Sequence, residues 1–419
     1  MPVEPATTSP SSTTSTTSTS STTSTSSTTD SDLGNPFWGA DWAEVRELWP
    51  LEPTVAHLNH GSFGAVRRSV LAEQQSWRDR MEVNPVRFFR RELPAALAVA
   101  RAEVGEFFSA SEDSLAFVPN ATTGASSVLA AFPFEPGDRI LLTDHSYGAV
   151  RIAADRFARA RGAQVDTAAV PLTADADEVI AVVMAALHPR TRLVIVDHIT
   201  SPTARRFPVE TLVPALQDRG VAVLVDGAHA PGMLDLELDR LGADFYLGNL
   251  HKWVCAPRGT AILHAAPQWR AQLRPLVASW GETDGFPASF DETGTEDSTA
   301  WLSAPKAIRE LCHLDLDRLR THNARLVAWG QELVGAAIGL GSSDLPHVPE
   351  LSLALIPLPA GVADTPAAAS DLAARLGAES AVEVSVGCWN GQGLVRVSSQ
   401  AYNAPADYRR LAAELPGYL

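Results

Sequence analysis

Cysteine and long apolar runs are both scarce in this chain of 419 residues. Its three cysteines, Cys255, Cys312 and Cys388, lie far apart and form no CxxC pair. That spacing argues against a disulfide framework and a structural zinc site, so we expect no metal and a reducing, cytoplasmic location. No apolar run approaches the roughly 18 residues that a membrane-crossing helix needs. The first residues lack the basic and apolar regions of a secretory signal, so we expect none.

Positive charge is also in deficit. Thirty-three arginines and lysines face 49 acidic residues, which gives a formal net charge of −16 at pH 7. A chain this acidic is repelled by phosphate backbones and by anionic lipid, so we expect neither nucleic acid nor a membrane as a partner. Hydrophobic residues make up 45% of the chain, which is ordinary for a globular protein. The length suffices for one large domain and a smaller one.

The scarcity of lysine is the most informative feature of the composition about chemistry. Of the 33 basic residues only Lys252 and Lys306 are lysines, and the other 31 are arginines. Arginine stays protonated at any relevant pH, whereas a lysine amine can lose its proton, attack a carbonyl and form a Schiff base. A chain that uses arginine wherever positive charge suffices keeps lysine where arginine cannot substitute. Chance survival on the surface explains Lys306, but the residues around Lys252 indicate chemistry.

The chain divides into a polar tail and a globular part. Residues 1–30 are almost entirely serine and threonine. They offer too few apolar groups to offset chain entropy, so we predict a disordered tail. We assign residues 31–304 to a large domain and residues 305–419 to a smaller α+β domain. The segment 31–60 is one that can pack on the smaller domain.

Alternating patterns predict an α/β fold for the large domain. Short apolar runs rich in β-branched residues alternate with stretches of helical periodicity, such as GAVRIAADRFARARGA and PVETLVPALQDRG. Strands that alternate with helices indicate a parallel or mixed sheet. A single long helix is expected after residue 304. The predicted strands are DRILLTD (138–144), TRLVIVDH (191–198), VAVLVDGAH (221–229), ADFYLGN (243–249) and GTAILHA (259–265).

Polar residues collect where such runs end, which is where α/β folds bind ligands. Asp226 ends the run VAVLVD, and a carboxylate there can pair with a protonated pyridine nitrogen, although alone it is better interpreted as a turn or capping aspartate. Lys252 follows the run ADFYLG, 26 residues later, and the two motifs together are far more specific than either. A third cluster, NATTG (120–124), can open a helix whose amides bind phosphate or can be an ordinary helix cap.

These motifs resemble those of a known family. DGAHAPG (226–232), GNLHKW (248–253) and NATTG are similar to the motifs of the fold-type I pyridoxal 5′-phosphate (PLP) enzymes of the aminotransferase class V group. The likeness runs from about Val55 to Tyr408. It implies a large PLP-binding domain with a mixed, mostly parallel sheet, a smaller C-terminal α+β domain, and a homodimer with its active site at the interface. The likeness also includes LNHGSFGAV (58–66) and VRVSSQAYN (395–403), and the isopenicillin N epimerase-like branch is indicated by NPVRFFRRELP (84–94) and TGTEDSTAWLSAP (293–305).

The resemblance implies a role for each residue that matches a cofactor-binding position. Lys252 would carry PLP as an imine and act as the base at the substrate α-carbon. Asp226 would pair with the pyridine nitrogen, and His229 would reach the ring hydroxyl. Phosphate binding is implied for Ala121, Thr122, Asn249, His251 and, across a dimer interface, Thr295.

Three further residues would face the substrate. Tyr147 would stack on the cofactor and is the candidate acid for the face opposite the lysine, with nearby His145 as a rival. Arg396 would clamp the α-carboxylate through its bidentate fork, and Asn59 would contact the substrate. Several of the candidate residues have a plainer structural alternative. Arg396 can be a solvated strand arginine, Tyr147 a core residue, and the two candidate histidines structural.

Two departures from the family pattern concern the substrate. Ala204, in HITSPTARRFP, stands where relatives often have glycine, and Arg205 and Arg206 follow where epimerases carry apolar residues. Because that loop is expected to face the substrate, a penicillin-type substrate does not follow from the likeness. Cys388 lies near the region where desulfurases keep a nucleophilic cysteine, but it lacks their flanking pattern and is interpreted as structural.

Several reactions at an amino-acid α-carbon could use these residues. The first hypothesis is epimerisation or racemisation. The second is C–S lysis or desulfuration of a cysteine-derived substrate such as a sulfoxide, and transamination is a further alternative. A non-catalytic PLP-fold protein is disfavoured because Lys252, Asp226 and Arg396 are intact. Other enzyme classes are not indicated, since GxGxxG after a strand, a P-loop, HExxH and GxSxG are all absent.

Overall fold

The computed structural model of this protein describes residues 42–346 and 348–419. The tail predicted for residues 1–30 lies outside the described residues. In chain order the helices are α1 (Trp42–Glu47), α2 (His60–Phe63), α3 (Arg68–Val83), α4 (Pro85–Arg87), α5 (Leu93–Phe107), α6 (Ala121–Ala131), α7 (Gly148–Arg161), α8 (Ala176–Ala185), α9 (Val209–Gln217), α10 (Leu238–Leu241), α11 (Pro267–Arg270), α12 (Thr299–Leu302), α13 (Ala304–Cys312), α14 (Leu316–Ala337), α15 (Pro366–Ser380) and α16 (Pro405–Glu414). The strands are β1 (Ala56–His57), β2 (Leu115–Val118), β3 (Arg139–Thr143), β4 (Gln164–Ala168), β5 (Thr191–Asp197), β6 (Ala222–Asp226), β7 (Phe245–Asn249), β8 (Ala261–Ala265), β9 (Leu353–Pro357), β10 (Val382–Glu383), β11 (Ser385–Trp389) and β12 (Gln392–Ser398).

Seven strands form the central sheet, in the order β2-β8-β7-β6-β5-β3-β4. Strands β7, β6, β5, β3 and β4 are parallel, and β8 runs antiparallel to both of its neighbours. All five runs predicted as strands form strands, with ends within three residues of the expected ones. The expected mixed, mostly parallel sheet is therefore confirmed.

The sheet is buried on both faces, which explains why its strands read as continuous apolar runs. Successive side chains of a strand point to opposite faces. In β6, Leu224 belongs to the core beneath α6 and α7, while Val223 and Val225 belong to the core beneath α5, α8 and α9. The strands β6, β7 and β8 are buried along their whole length. The polar residues that follow each run are therefore displaced to the strand ends.

Local capping sets where the helices nearest the strand ends begin. Asn120 caps α6, because its Oδ1 accepts a hydrogen bond from the Thr123 amide at 2.9 Å. Helix α7 ends at Gly162, whose φ of 69° lies in the left-handed region that favours glycine. The Asn120 cap places the start of α6 directly after β2, at the carboxyl edge of the sheet.

A second, smaller sheet lies in the C-terminal part of the chain. Its antiparallel order is β11-β12-β9, and the short strand β1 pairs in parallel with β10. Ala56 and Leu58 belong to the same hydrophobic core as β9 and β12. The segment just before residue 60 therefore packs on the C-terminal sheet. The domain boundary between residues 304 and 305 stays a prediction.

The single long helix expected after residue 304 was wrong, because the structure has two helices there, α13 and α14. Asp315 separates them with a φ of 60°, and its side chain accepts a hydrogen bond from the Arg318 amide at 3.3 Å. An aspartate that caps a new helix competes with continuation of the preceding one. Within the residues described, no helix combines the length and apolar character required to cross a membrane.

Candidate active site

A cavity of about 590 Å³ opens at the carboxyl edge of the central sheet. This size is typical of small-molecule sites. Asp197 from β5, Asp226 from β6 and Asn249 from β7 line it, together with the start of α6 and with Ser62 from α2. Parallel strands bring their carboxyl ends to one edge, so residues far apart in the sequence converge there.

Lys252 lies in the loop after β7, and its side chain is buried at the cavity wall. Burial and the charge of Arg396 lower the pKa of the Lys252 amine to about 7, although the charge of Asp226 acts in the opposite direction. The Lys252 carbonyl accepts a hydrogen bond from Nε2 of His60 at 2.9 Å, which fixes the backbone that carries the amine. A large share of this amine is therefore neutral at neutral pH, as a nucleophile or base requires.

His229 lies directly behind the amine. Its Nε2 is 3.0 Å from Nζ of Lys252, and its Nδ1 accepts a hydrogen bond from the indole nitrogen of Trp253 at 3.4 Å. Burial, with the charges of Lys252 and Arg396, holds the pKa of His229 well below its usual value. This imidazole is therefore neutral, and both of its nitrogens face named partners.

Two carboxyl groups lie side by side beneath the cavity. Asp226 and Asp197 are register partners on β6 and β5, so their side chains point to the same face about 5 Å apart. Burial raises the pKa of Asp226. Burial together with the charge of Asp226 raises the pKa of Asp197 well above its usual value. Asp197 was not among the predicted residues, although TRLVIVDH, like VAVLVDGAH, ends a buried run with an aspartate.

The start of α6 forms one end of the cavity, where phosphate binding was expected. The Ala121 amide donates to Oδ1 of Asn249 at 2.9 Å, so in this structure the amide and the carboxamide bind each other. Thr122 lines the cavity beside them. His251 also lines it, and burial lowers the pKa of its imidazole to about 4, which makes it a neutral hydrogen-bonding group. The four residues meet as predicted, and their contact with phosphate stays a prediction.

Arg396, on β12, brings the C-terminal sheet to this site. Its buried guanidinium donates to the carbonyl and hydroxyl of Ser201 and, at 3.1 Å, to the hydroxyl of Ser62. Ser62 in turn donates to Oδ1 of Asn59 at 2.6 Å. Among the described residues no carboxylate pairs with Arg396, and its Nε has no hydrogen-bond partner. Burial lowers its pKa only to about 10, so it is a buried cation in need of an anion.

Tyr147 and His145 were rivals for one role, and the structure separates them. Tyr147 precedes α7, lines the cavity and is 47% exposed. Burial lowers the pKa of Arg396, and the nearby Tyr147 acts in the opposite direction. His145 is fully buried, with Nδ1 2.6 Å from Oγ1 of Thr203 and Nε2 2.8 Å from the carbonyl of Val170. Of the two, Tyr147 is the side chain that a ligand in the cavity can touch.

The two arginines expected to face the substrate do not line the cavity. Arg205 donates to the carbonyl of Ala174, and Arg206 forms ion pairs with Glu210 and Glu350. The loop itself does border the cavity, because Ile199 and Ser201 line it, whereas the two arginine side chains are held by these partners and are not part of the lining. Ala204 has a φ of 48°, a left-handed conformation that explains why glycine suits the position.

Two other sequence candidates also lie apart from the cavity. Thr295 is exposed on the loop before α12, and its reach across a dimer interface stays a prediction. The Cys388 thiol donates to the carbonyl of Asp364 at 3.0 Å. Neither Cys388 nor the other two cysteines line the cavity described here. Among the described residues, therefore, no thiol lines the cavity that the Lys252 amine borders.

The side chains that do meet suit an aldehyde cofactor with a basic ring nitrogen and a phosphate. Lys252 supplies an amine that can lose its proton, and Asp226 supplies a buried carboxyl that can pair with a protonated ring nitrogen. The amino end of α6 supplies a partial positive charge for an anion. PLP carries groups that match all three.

On an α/β fold with a mostly parallel sheet, this arrangement defines the class of fold-type I PLP enzymes. The chain belongs to the aminotransferase class-V family, whose model matches residues 66–411. The resemblance stated from the motifs is thereby confirmed, and with it an enzyme that uses PLP.

The relatives carry the names of more than one reaction. Isopenicillin N epimerase of Streptomyces clavuligerus is 33% identical, over 90% of this chain and 98% of its own length. The epimerase of Amycolatopsis lactamdurans is 36% identical, over 89% and 98%. An L-cysteine desulfhydrase of Arabidopsis thaliana is 28% identical, over 85% and 86%.

Solved structures agree on the fold. The cysteine desulfurase CsdA of Escherichia coli superposes with a TM-score of 0.74 at 19% identity, covering 90% of this chain and 98% of that one. A variant of C-DES with glycine linked to its PLP cofactor superposes with a TM-score of 0.76 at 19% identity, covering 89% and 99%.

Proposed function

We propose that this enzyme epimerises or racemises an α-amino acid at its α-carbon. The observation that carries the proposal is a buried guanidinium, without a carboxylate partner among the described residues, next to the cavity that holds a readily deprotonated amine. Arg396 donates hydrogen bonds to Ser62 and Ser201, which line the same cavity as Lys252. Arg396 needs an anion, and Lys252 can accept a proton. The similarity to two isopenicillin N epimerases over 98% of their lengths supports the same reaction class.

Each residue has a distinct task in this proposal. Arg396 binds the substrate carboxylate through its fork, which orients the α-carbon. Lys252 removes the α-proton onto Nζ. PLP, when bound, supplies an electron sink for the charge that develops at that carbon. Asp226 holds the ring nitrogen, and Thr122 with the amino end of α6 holds the phosphate.

Inversion requires a second acid that returns the proton to the other face of the substrate. Tyr147 is the candidate because its phenol lines the cavity on a different element from Lys252. It also lies near Arg396, and hence near the carboxylate that Arg396 would bind. One amine and one phenol then serve the two faces.

The chief alternative is C–S lysis, since some relatives are named cysteine desulfhydrases. Lysis needs only the amine, the guanidinium and a substrate with a sulfur leaving group. Desulfuration through an enzyme persulfide is disfavoured, because the cavity in the described structure has no cysteine in its lining. Transamination would use the same base and return the proton to the cofactor instead.

An amino-acid panel in deuterated water tests the proposal. The wild type should exchange the α-proton and interconvert the two enantiomers of its substrate. In Tyr147→Phe, exchange should fall about 10²- to 10⁴-fold on one stereochemical face only. Normal exchange on both faces in the variant would remove Tyr147 from this role. Pyruvate with released sulfur, in place of an inverted amino acid, would establish lysis instead.

The same proposal covers the assembly and location of the enzyme. We expect a cytoplasmic homodimer in which the exposed Thr295 of each chain contributes to the site of the other. Light scattering coupled to size exclusion measures the dimer directly. Mixing an inactive Lys252→Ala chain with an inactive Thr295→Ala chain should restore part of the activity, and failure to do so would contradict a shared site.

A further inference from the structure

The environment of Lys252 contains a hydrogen-bonded chain of three side chains. The indole nitrogen of Trp253 lies 3.4 Å from Nδ1 of His229, and Nε2 of His229 lies 3.0 Å from Nζ of Lys252. All three side chains are buried. The direction of each hydrogen bond therefore decides which protonation state of the lysine the pocket favours.

Donor and acceptor chemistry fixes those directions. An indole N–H can only donate, so Nδ1 of His229 is the acceptor. A neutral imidazole carries one proton, which must then be on Nε2 and point at Lys252. An ammonium group has three donors and no lone pair, so it cannot accept this bond, whereas a neutral amine can. The opposite tautomer would bring two N–H donors face to face at Trp253.

We infer that Trp253 is a positioning residue: its indole N–H holds His229 in the Nε2–H tautomer, and His229 thereby holds Lys252 as the neutral amine. The inference rests on the assignment of Lys252 proposed above. It gives the tryptophan of the HKW motif a chemical task, although Trp253 does not line the cavity.

The surrounding backbone keeps the indole and the imidazole in place. Gly61 of α2 lies beside both rings: a Cβ there would be in ordinary van der Waals contact, 3.4 Å from Cε1 of His229 and 3.5 Å from Cζ2 of Trp253. Gly232 has a φ of 83°, and its missing Cβ would be 2.8 Å from the Trp253 backbone. The ring of His60 also packs against the indole of Trp253, with ring centroids 4.9 Å apart, and the indole and the His229 imidazole are both buried.

Charged and titratable groups on neighbouring elements also act on the chain. The charge of Arg396, on β12, disfavours the protonated form of Lys252, whereas the carboxyl groups on β5 and β6 favour that form. The imidazoles near His229 are neutral, because burial lowers their pKa values. The tautomer adds a directional effect to these charges. The groups that face the two residues are Asp197, Asp226, Arg396, His60 and His251.

The tautomer itself is measured by ¹⁵N spectroscopy on cofactor-free protein with labelled histidine, with His229→Gln used to assign the signal. We expect the Nε2–H tautomer in the wild type and loss of that preference in Trp253→Phe. The wild-type measurement stands even if the variant does not fold. An Nδ1–H tautomer in the wild type overturns the inference.

Capture of PLP between pH 6 and pH 10.5 measures the consequence. In Trp253→Phe the rate should fall about three- to tenfold near pH 7, the effect of one neutral hydrogen bond, and should meet the wild-type rate above pH 10. Trp301→Phe is the matched control, since it removes a buried indole N–H that donates to the Gly259 carbonyl, and its pH profile should be unchanged. Identical profiles for wild type and Trp253→Phe refute the inference. Absence of a borohydride-trapped adduct on wild-type Lys252 refutes the proposed function instead.

Discussion

Replacing Arg396 with glutamine should weaken binding of amino acids but not of the corresponding amines. In the structure the guanidinium is buried, cationic and bonded only to the neutral groups of Ser201 and Ser62. Its desolvation is therefore not compensated until an anion arrives. A glutamine amide retains a donor for the two serines but removes the charge.

The magnitude follows from the two hydrogen bonds of a bidentate clamp. Each charge-assisted bond contributes about 1.5 to 3 kcal/mol, and removing one partner of a buried charged pair costs about 2 to 5 kcal/mol. A loss of about 3 to 4 kcal/mol corresponds to a roughly 150- to 900-fold higher dissociation constant. The pKa of about 10 means that the wild-type clamp stays charged at neutral pH.

The assay is a spectral titration of the PLP-loaded enzyme at pH 7.5. One series uses the amino acid that gives the largest spectral change in a panel, and the other uses the primary amine with the same side chain. Arg205→Gln is the matched control, because Arg205 donates to the Ala174 carbonyl and does not line the cavity. Its titrations should match the wild type.

The result that would refute this assignment is an equal loss for the amino acid and for the amine. Such a loss would mean that Arg396 supports the shape of the cavity and does not bind a carboxylate. An unchanged dissociation constant for the amino acid would refute it as well.

Three other substitutions, the last with a matched control, have defined outcomes. Asp197→Asn should stabilise the cofactor-free protein, and this gain in stability should increase as pH rises from 4 to 8. A carboxyl whose folded pKa is raised contributes stability below its ordinary pKa near 4 and loses that stability as pH rises. A melting-temperature difference that does not change with pH would contradict this. Trp389→Phe removes the bond from the β11–β12 hairpin to a carbonyl of the large sheet and should raise KM about two- to tenfold with kcat unchanged, as steady-state kinetics will show. Gly64→Ala should cost about 2 to 5 kcal/mol in urea unfolding, since its Cβ would lie 1.8 Å from the His251 carbonyl at a φ of 66°. Gly242→Ala, with the same φ and open space, should cost only about 1 to 2 kcal/mol.

The parts of the fold that depend on local pattern were accessible from the sequence. Buried strands show as apolar runs because both faces of the sheet are covered where they lie. The break at Asp315 was missed because the stretch has continuous helical periodicity on both sides. Only the positive φ and the side-chain cap, which depend on how α13 and α14 pack, reveal it.

The site was predictable where a motif and a strand end coincide. Lys252 and Asp226 stood out through their spacing, and the small number of lysines in the chain supported Lys252 independently. His60 was missed, since its bonds to the Lys252 carbonyl and to Tyr402 join residues about 190 and 340 positions away, and no local pattern encodes such contacts. For Arg205 and Arg206 the sequence located the loop beside the cavity, but it did not show which partners the two flexible side chains bind.

The pairing of β1 with β10 has a consequence for how the enzyme is made. Ala56 and its partner Val382 are more than 300 residues apart, so at about 5 to 20 residues per second a ribosome needs roughly 15 to 65 s between them. Throughout that interval the nascent segment that carries Asn59 and Ser62 has no strand to join, and Arg396 does not yet exist. A newly synthesised chain can therefore acquire its carboxylate pocket only after Arg396 has been added, well after the parallel strands that surround the lysine have been made.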